Sequence, residues 1–116
     1  MSLDGKVAIV TGAARGLGKA IALTLAREAA SVVVNDVNLQ GAEETVSEIE
    51  ALARDALAIK ADVSNREEVH KMVEQTLRRF GRIDILVNNA GIVGVGPRLE
   101  ELTEEEWNRT IDVDLK

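Results

Sequence analysis

The feature that most constrains this chain is a set of glycines placed between two apolar segments. Val7–Val10 is a short apolar stretch after an Asp4-Gly5 turn, and residues 11–18 follow it at once as Thr-Gly-Ala-Ala-Arg-Gly-Leu-Gly. Ala20, Ile21, Leu23, Leu25 and Ala26 then make residues 16–29 a helix that is apolar around most of its circumference. A short apolar run bounded by turn signals reads as a buried parallel strand. Passing from such a strand directly into a helix calls for positive φ, close helix–strand contact and a backbone bare of side chains, and glycine meets all three needs. The first amides of the helix, with their partial positive charge, then face outward in a way that suits a phosphate. The spacing is Gly-x-x-x-Gly-x-Gly, formed by Gly12, Gly16 and Gly18. A turn that merely needs glycines would account for the letters; their position between strand and helix favours nucleotide binding.

The strand–helix alternation continues through the rest of the chain. Residues 31–35 form a β-branched run closed by Asp36, and Ala42, Val46, Ile49 and Ala53 recur at helical spacing in a polar background. Residues 56–60 read as a weaker third strand. Ser64 and Glu67 fit a capping box, opening a helix with Val69, Met72, Val73, Leu77 and Phe80 on one face and Gly81 at its end. Residues 83–87 make a fourth strand. A glycine-rich loop over 91–97, with the only proline, leads to a second capping box at Thr103 and Glu106 and to a helix still running at Lys116. Crossovers of this length imply parallel strands, right-handed connections and helices on both faces. The expected architecture is a three-layer Rossmann-type α/β fold with strand order 3-2-1-4, truncated after the fourth strand and part of the following helix. Residues 1–116 are expected to form one dinucleotide-binding domain.

That layout raises two further expectations. The fourth strand, apolar at Ile83, Ile85, Leu86 and Val87, becomes an edge with unpaired backbone groups, which invites pairing with another chain. Leu102, Trp107, Ile111 and Leu115 give the last helix an apolar stripe. Self-association through the fourth strand or the last helix, as a homodimer or higher assembly, is therefore expected.

Composition narrows the choice of partners. With 14 basic and 20 acidic residues the formal charge is −6, which argues against a nucleic-acid backbone as partner. No cysteine is present and His70 is the only histidine, so thiolate ligation is excluded and no metal is expected. His70, beside Lys71, reads as a solvent-facing residue, and the acidic cluster over 100–106 as first-turn helix charge. No apolar run approaches bilayer length, and the N-terminal residues are short and polar. No membrane partner is expected, and a cytoplasmic location is the default. Aromatics are confined to Phe80 and Trp107, so the core must be built from Val, Ile, Leu and Ala.

Asp36, at the end of the second strand, has the right place to accept hydrogen bonds from both ribose hydroxyls and to repel a 2′-phosphate. Taken alone it is equally a helix N-cap or turn aspartate; beside the glycine turn, the ribose role is favoured. Arg15 in the turn points the other way, because a guanidinium can pair with a 2′-phosphate. NAD is favoured over NADP on the weight of Asp36.

Residues 11–18, Asp62-Val63 after the third strand, Asn88-Asn89-Ala90-Gly91 after the fourth and Glu105-Glu106-Trp107 in the last helix together resemble the short-chain dehydrogenase/reductase family. The resemblance runs the length of the chain, and is strongest to the branch of 3-oxoacyl-carrier-protein reductases and related alcohol dehydrogenases. It implies hydride transfer between NAD(P)H and a carbonyl or secondary alcohol. Gly12, Arg15, Gly16, Leu17 and Gly18 of the turn are counted among the cofactor-binding residues, and the resemblance implies that Asp62 holds the adenine amino group with the Val63 amide beside it. Asn89, Ala90 and Gly91 would pass near the adenine-side ribose and the nicotinamide half, while Asn88 ties strands together. All these positions lie at the carboxyl ends of parallel strands, where open α/β sheets bind ligands. The plainer reading of Asp62 is a turn residue before the Ser64 cap.

The same resemblance shows what these residues lack. The family's proton donor is the Tyr of a Tyr-x-x-x-Lys pair assisted by a Ser, and the sequence contains no Tyr. Ser2, Ser31, Ser47 and Ser64 match no catalytic position. Asp114 stands where the family commonly has an Asn that serves a proton relay, and an ionised Asp can accept but not donate. No catalytic residue is therefore assigned, and the chain by itself is expected to bind cofactor without turnover. The alternative is a non-catalytic structural or self-assembling fragment in which the glycine turn serves only as scaffold.

Overall fold

A computed structural model of the chain describes residues 2–88 and the backbone of 91–95. The elements run β1 (Val7–Val10), α1 (Gly16–Arg27), β2 (Ser31–Asp36), α2 (Leu39–Glu50), β3 (Ala56–Lys60), α3 (Arg66–Phe80), β4 (Ile85–Asn88) and β5 (Gly91–Val95). They form one sheet of order β3-β2-β1-β4-β5. Pairings among the first four strands are parallel, with Val10 opposite both Val34 and Val87. The expected 3-2-1-4 order is thus the observed one.

Because alternate strand residues face opposite ways, the apolar side chains sort into two cores. Ile9, Val33, Ile59 and Leu86 meet Val69 and Met72 of α3 on one face. Val10, Val32, Val34 and Val87 meet Ala22 and Ala26 of α1 and Ala42 and Ile49 of α2 on the other. Strands β1 and β2 are buried on both faces, which explains why they read as continuous apolar runs rather than alternating ones. Alanine on the buried side of α1 lets that helix lie close to the sheet. α3 ends at Gly81, whose φ of 83° places it in the left-handed region that closes a helix.

Three local expectations need correction. The cap of α3 is Asn65, not Ser64: the Asn65 side chain accepts from the Glu68 amide at 3.1 Å, and Glu68 reaches back to the Asp62 amide at 2.9 Å. Ser64 instead donates its hydroxyl to Asp62. Two cap-forming residues stand in succession, each with a glutamate three residues on, and the register one residue later is the one adopted. Secondly, residues 91–95 of the expected loop form β5, which pairs antiparallel with β4 through a register shift between Leu86 and Val87. Thirdly, β4 is consequently flanked on both sides by β1 and β5, so it is not the exposed edge that the expected four-strand layout made it. The last helix, its capping box and Asp114 lie outside the described residues. Among the described residues, no helix is long and apolar enough to cross a membrane.

Candidate functional site

The crossover through α1 carries the chain from β1 toward β2, and the crossover through α3 carries it to the other side of β1 to form β4. The strand order therefore reverses at β1, and it is beyond the carboxyl ends of the strands at such a reversal that open α/β sheets take ligands. The glycine turn, Asp36, Asp62 and Asn88 all arrive at that edge because each directly follows or ends one of the four parallel strands.

The turn itself is tightly determined. Gly12 and Gly16 both have φ of 62°, a conformation that L side chains rarely adopt. At Gly18 the demand is different: a Cβ there would stand 2.2 Å from the Gly12 carbonyl oxygen and 2.8 Å from its carbon. Helix and turn meet there backbone to backbone. Arg15 occupies the N-cap of α1, extended at φ −161°, and its side chain makes no capping bond; no acidic residue sits in the first turn. Among the described residues, the opening amides of α1 are thus left without the oxygen acceptor that most helix starts supply internally. An anion is the chemical complement of such an end.

Asp36 is half-buried at the tip of β2 and joined to this turn. One carboxylate oxygen accepts from the Ala14 amide at 3.0 Å, and the other from the Asn38 amide at 3.0 Å. Each oxygen keeps a further lone pair, so the carboxylate is placed and oriented without being used up. The turn role that sequence alone left open is real, and it coexists with an available acceptor face. Asn38, in turn, caps α2 by accepting from Gly41.

Asp62 is exposed, with one carboxylate oxygen accepting from the Ser64 hydroxyl at 2.7 Å and the Ser64 amide at 2.9 Å. Those two bonds, the hydroxyl's first, hold its carboxyl below the usual range against a small opposing effect of burial. Val63 beside it is half-buried against the α3-side core. Asn88 ends β4, opposite Gly91 at the start of β5. Asn89 and Ala90 lie outside the described residues, and of Gly91 only the backbone strand is described.

Three residues that shape the site were not singled out from sequence. Asn35 is buried, and its side-chain amide donates to the Ile59 and Ala61 carbonyls at 3.2 and 3.1 Å, securing the backbone that delivers Asp62. Thr45, fully buried in α2, donates to the Ala13 carbonyl at 3.0 Å. Val37 is 61% exposed directly after Asp36, and Leu17 is 64% exposed at the start of α1, so apolar surface flanks both polar parts of the site. An asparagine in a strand and a threonine in a polar helix carry no distinctive spacing; only the exposed valine after a carboxylate offered a sequence signal.

The family profile described as short chain dehydrogenase matches residues 6–116. The chain belongs to the short-chain dehydrogenase family. It is 45% identical over 116 residues to the (2S)-[(R)-hydroxy(phenyl)methyl]succinyl-CoA dehydrogenase subunit BbsD of Thauera aromatica, covering 100% of this chain and 46% of that protein. It is 46% identical to a cyclohexanol dehydrogenase of an Acinetobacter species, over 97% of this chain and 45% of the relative. Versicolorin reductase 1 of Aspergillus parasiticus is 47% identical, over 98% of this chain and 44% of the relative. The chain thus spans about half the length of the curated relatives it matches. Among solved structures, a hydroxysteroid dehydrogenase from Escherichia coli superposes with TM-score 0.75 at 45% identity, covering 80% of this chain and 40% of that one. A 7 alpha-hydroxysteroid dehydrogenase complexed with NADH and 7-oxo glycochenodeoxycholic acid superposes with TM-score 0.73 at 44% identity, covering 75% of this chain and 34% of that one. The short-chain dehydrogenase fold is therefore shared at the level of backbone as well as sequence.

Proposed function

We propose that this chain is the nicotinamide-dinucleotide-binding half of a short-chain oxidoreductase whose complete reaction is hydride transfer between NAD(P)H and a carbonyl or secondary alcohol. The observation that carries the reading is the junction of the glycine turn with Asp36, whose carboxylate holds the Ala14 amide at 3.0 Å beside an uncapped helix start. That junction sets a phosphate-seeking surface and a hydroxyl-seeking carboxylate side by side, which is the chemistry of an adenosine diphosphate moiety. Two structural relatives, one complexed with NADH and one with bound NAD, lend support from the family.

In this reading Gly12, Arg15, Gly16, Leu17 and Gly18 receive the pyrophosphate, Asp36 the adenine-side ribose, and Asp62 with Val63 the adenine, against the apolar surface of Val37. Asn89, Ala90 and Gly91 serve the ribose and nicotinamide side. When bound, the nicotinamide supplies or accepts the hydride. NAD is the preferred form, because the Asp36 carboxylate repels a 2′-phosphate. The parent belongs with the 3-oxoacyl-carrier-protein reductase branch and is cytoplasmic. Residues 1–116 alone turn over no carbonyl substrate, since general acid catalysis contributes about 10²–10⁴-fold and the sequence has no Tyr to provide it.

Titration with NADH and NADPH, followed by nicotinamide fluorescence, tests the reading. The expected result is saturable binding that favours NADH. In Asp36→Ala the NADH affinity falls roughly tenfold, as loss of a charged hydrogen-bond acceptor implies, while NADPH binding holds or improves. Absence of saturation at millimolar concentration of either cofactor would return the chain to a scaffold role. Self-association belongs to the same proposal, through the outer edge of β5, which no strand among the described residues covers. Light scattering over a concentration series should show dimer or larger species; a monomer throughout would remove that part.

A further inference from the structure

The glycine turn owes its position to β2 and α2 as much as to its own glycines. The Ala13 amide donates to the Asn35 carbonyl at 2.9 Å and the Ala14 amide to Asp36 at 3.0 Å. The Ala13 carbonyl accepts from the Thr45 hydroxyl at 3.0 Å, and no other donor reaches it among the described residues. The same hydroxyl lies 3.3 Å from the Gly41 carbonyl, a weaker second acceptor within its own helix. Both Ala13 and Thr45 are fully buried. The bond can form because α2 approaches the turn at Gly41, where a Cβ would stand 2.8 Å from the Ala14 Cβ. Three consecutive main-chain groups, two amides and the carbonyl between them, are thus held by a strand and a helix outside the turn. The uncapped start of α1 comes directly after them in the chain.

We propose that Thr45 is a positioning residue for cofactor phosphate: its hydroxyl fixes the Ala13–Ala14 peptide so that the opening amides of α1 are presented ready-oriented. This rests on the dinucleotide-binding reading above. Without the hydroxyl the Ala13 carbonyl is a buried acceptor with no donor, and the peptide gains by rotating toward another partner. Rotation of that peptide carries the following amides away from a phosphate and takes the Ala14 amide from Asp36, but Asp36 keeps its bond to the Asn38 amide at 3.0 Å and the Asp62 turn, on the far side of β2, stays where it is. The defect is therefore selective for ligands that carry phosphate.

The test measures displacement of NADH fluorescence by ADP and by adenosine, with urea midpoints alongside to follow folding. Thr45→Val keeps the side-chain shape and removes the donor. The expected result is roughly tenfold weaker NADH and ADP binding with adenosine affinity unchanged, and recovery of both phosphate ligands in Thr45→Ser. Undiminished ADP affinity in Thr45→Val overturns the proposal. So does an equal loss of ADP and adenosine, which would make Thr45 a general fold residue. Should Thr45→Val not fold, Gly41→Ala perturbs the same junction by pushing α2 off Ala14 with the hydroxyl intact. It must reproduce the selective loss of ADP, and wild-type affinities there overturn the proposal equally. Failure of the wild-type protein to bind NADH at all refutes the dinucleotide reading itself; binding by wild type with an unaffected Thr45→Val refutes only the role of Thr45.

Discussion

Gly18→Ala should unfold the first strand–helix unit or leave it too distorted to bind a dinucleotide, with a loss of stability of about 3 kcal/mol or more in urea unfolding. The reason is geometric. The added methyl would sit 2.2 Å from one backbone atom of Gly12 and 2.8 Å from another, and neither can give way as a side chain can. Relief requires α1 to withdraw from β1, which opens the packing of Ala22 and Ala26 against Val10 and Val34. Gly16→Ala is the informative control. A Cβ at Gly16 meets nothing within 4 Å, and only its φ of 62° is unfavourable, so its cost should stay near about 1–2 kcal/mol. Equal midpoints for the two variants would show that the turn does not press on the helix.

These two glycines show how far the sequence could be read. Three glycines between an apolar run and an apolar helix define a turn type, and their spacing suggests which must bend and which must be bare. Likewise the four parallel strands were legible because burial on both faces leaves an uninterrupted apolar signature in Val7–Val10 and in residues 32–34. The position of Asp36 beside the turn was legible because the crossover sets where the second strand ends.

The features that sequence did not reveal depend on competition between near-equal local choices or on distant partners. Residues 91–95 contain two glycines and sit beside a proline-bearing stretch, so local propensity reads loop; pairing with β4 makes them a strand. Ser64 and Asn65 are both good caps, and the winning register is decided by where Glu68 can also reach the Asp62 amide. Thr45 and Asn35 look like ordinary polar residues until the fold brings Ala13, Ile59 and Ala61 to them. Their hydrogen bonds join elements far apart in the chain, and no periodicity encodes such a partner.

Asp84 is the other residue of that kind, and its removal should produce the second large effect. Between Ile83 and Ile85 it resembles a charge passing through the end of a turn, yet it is only 4% exposed. Its carboxylate accepts from the Val7 amide at 2.9 Å and is gripped from both sides by Arg82 at 2.8 and 2.7 Å, while its own amide donates to the Val7 carbonyl at 2.8 Å. The pair Val7–Asp84 thus fastens the beginnings of β1 and β4 at the edge opposite the candidate site. Burial pushes the Asp84 carboxyl up, but the hydrogen bonds from Arg82 and Val7, with the charges of Arg82 and Lys6, outweigh it and hold the group below its ordinary value of 3.8. A folded-state value lower than the unfolded one gives stability that is complete above the unfolded value and is lost as pH falls through the folded one. Asp84→Ala at neutral pH leaves the Val7 amide buried without an acceptor, for an expected loss of about 2–4 kcal/mol in urea unfolding. The gap between wild type and variant should close as pH drops below 3.8, because protonation of Asp84 takes the same interactions from the wild-type protein. The NADH-to-NADPH preference should not move, since the lesion lies at the far end of the strands. A gap that persisted undiminished into acid would mean that Asp84 acts through packing rather than through its charge.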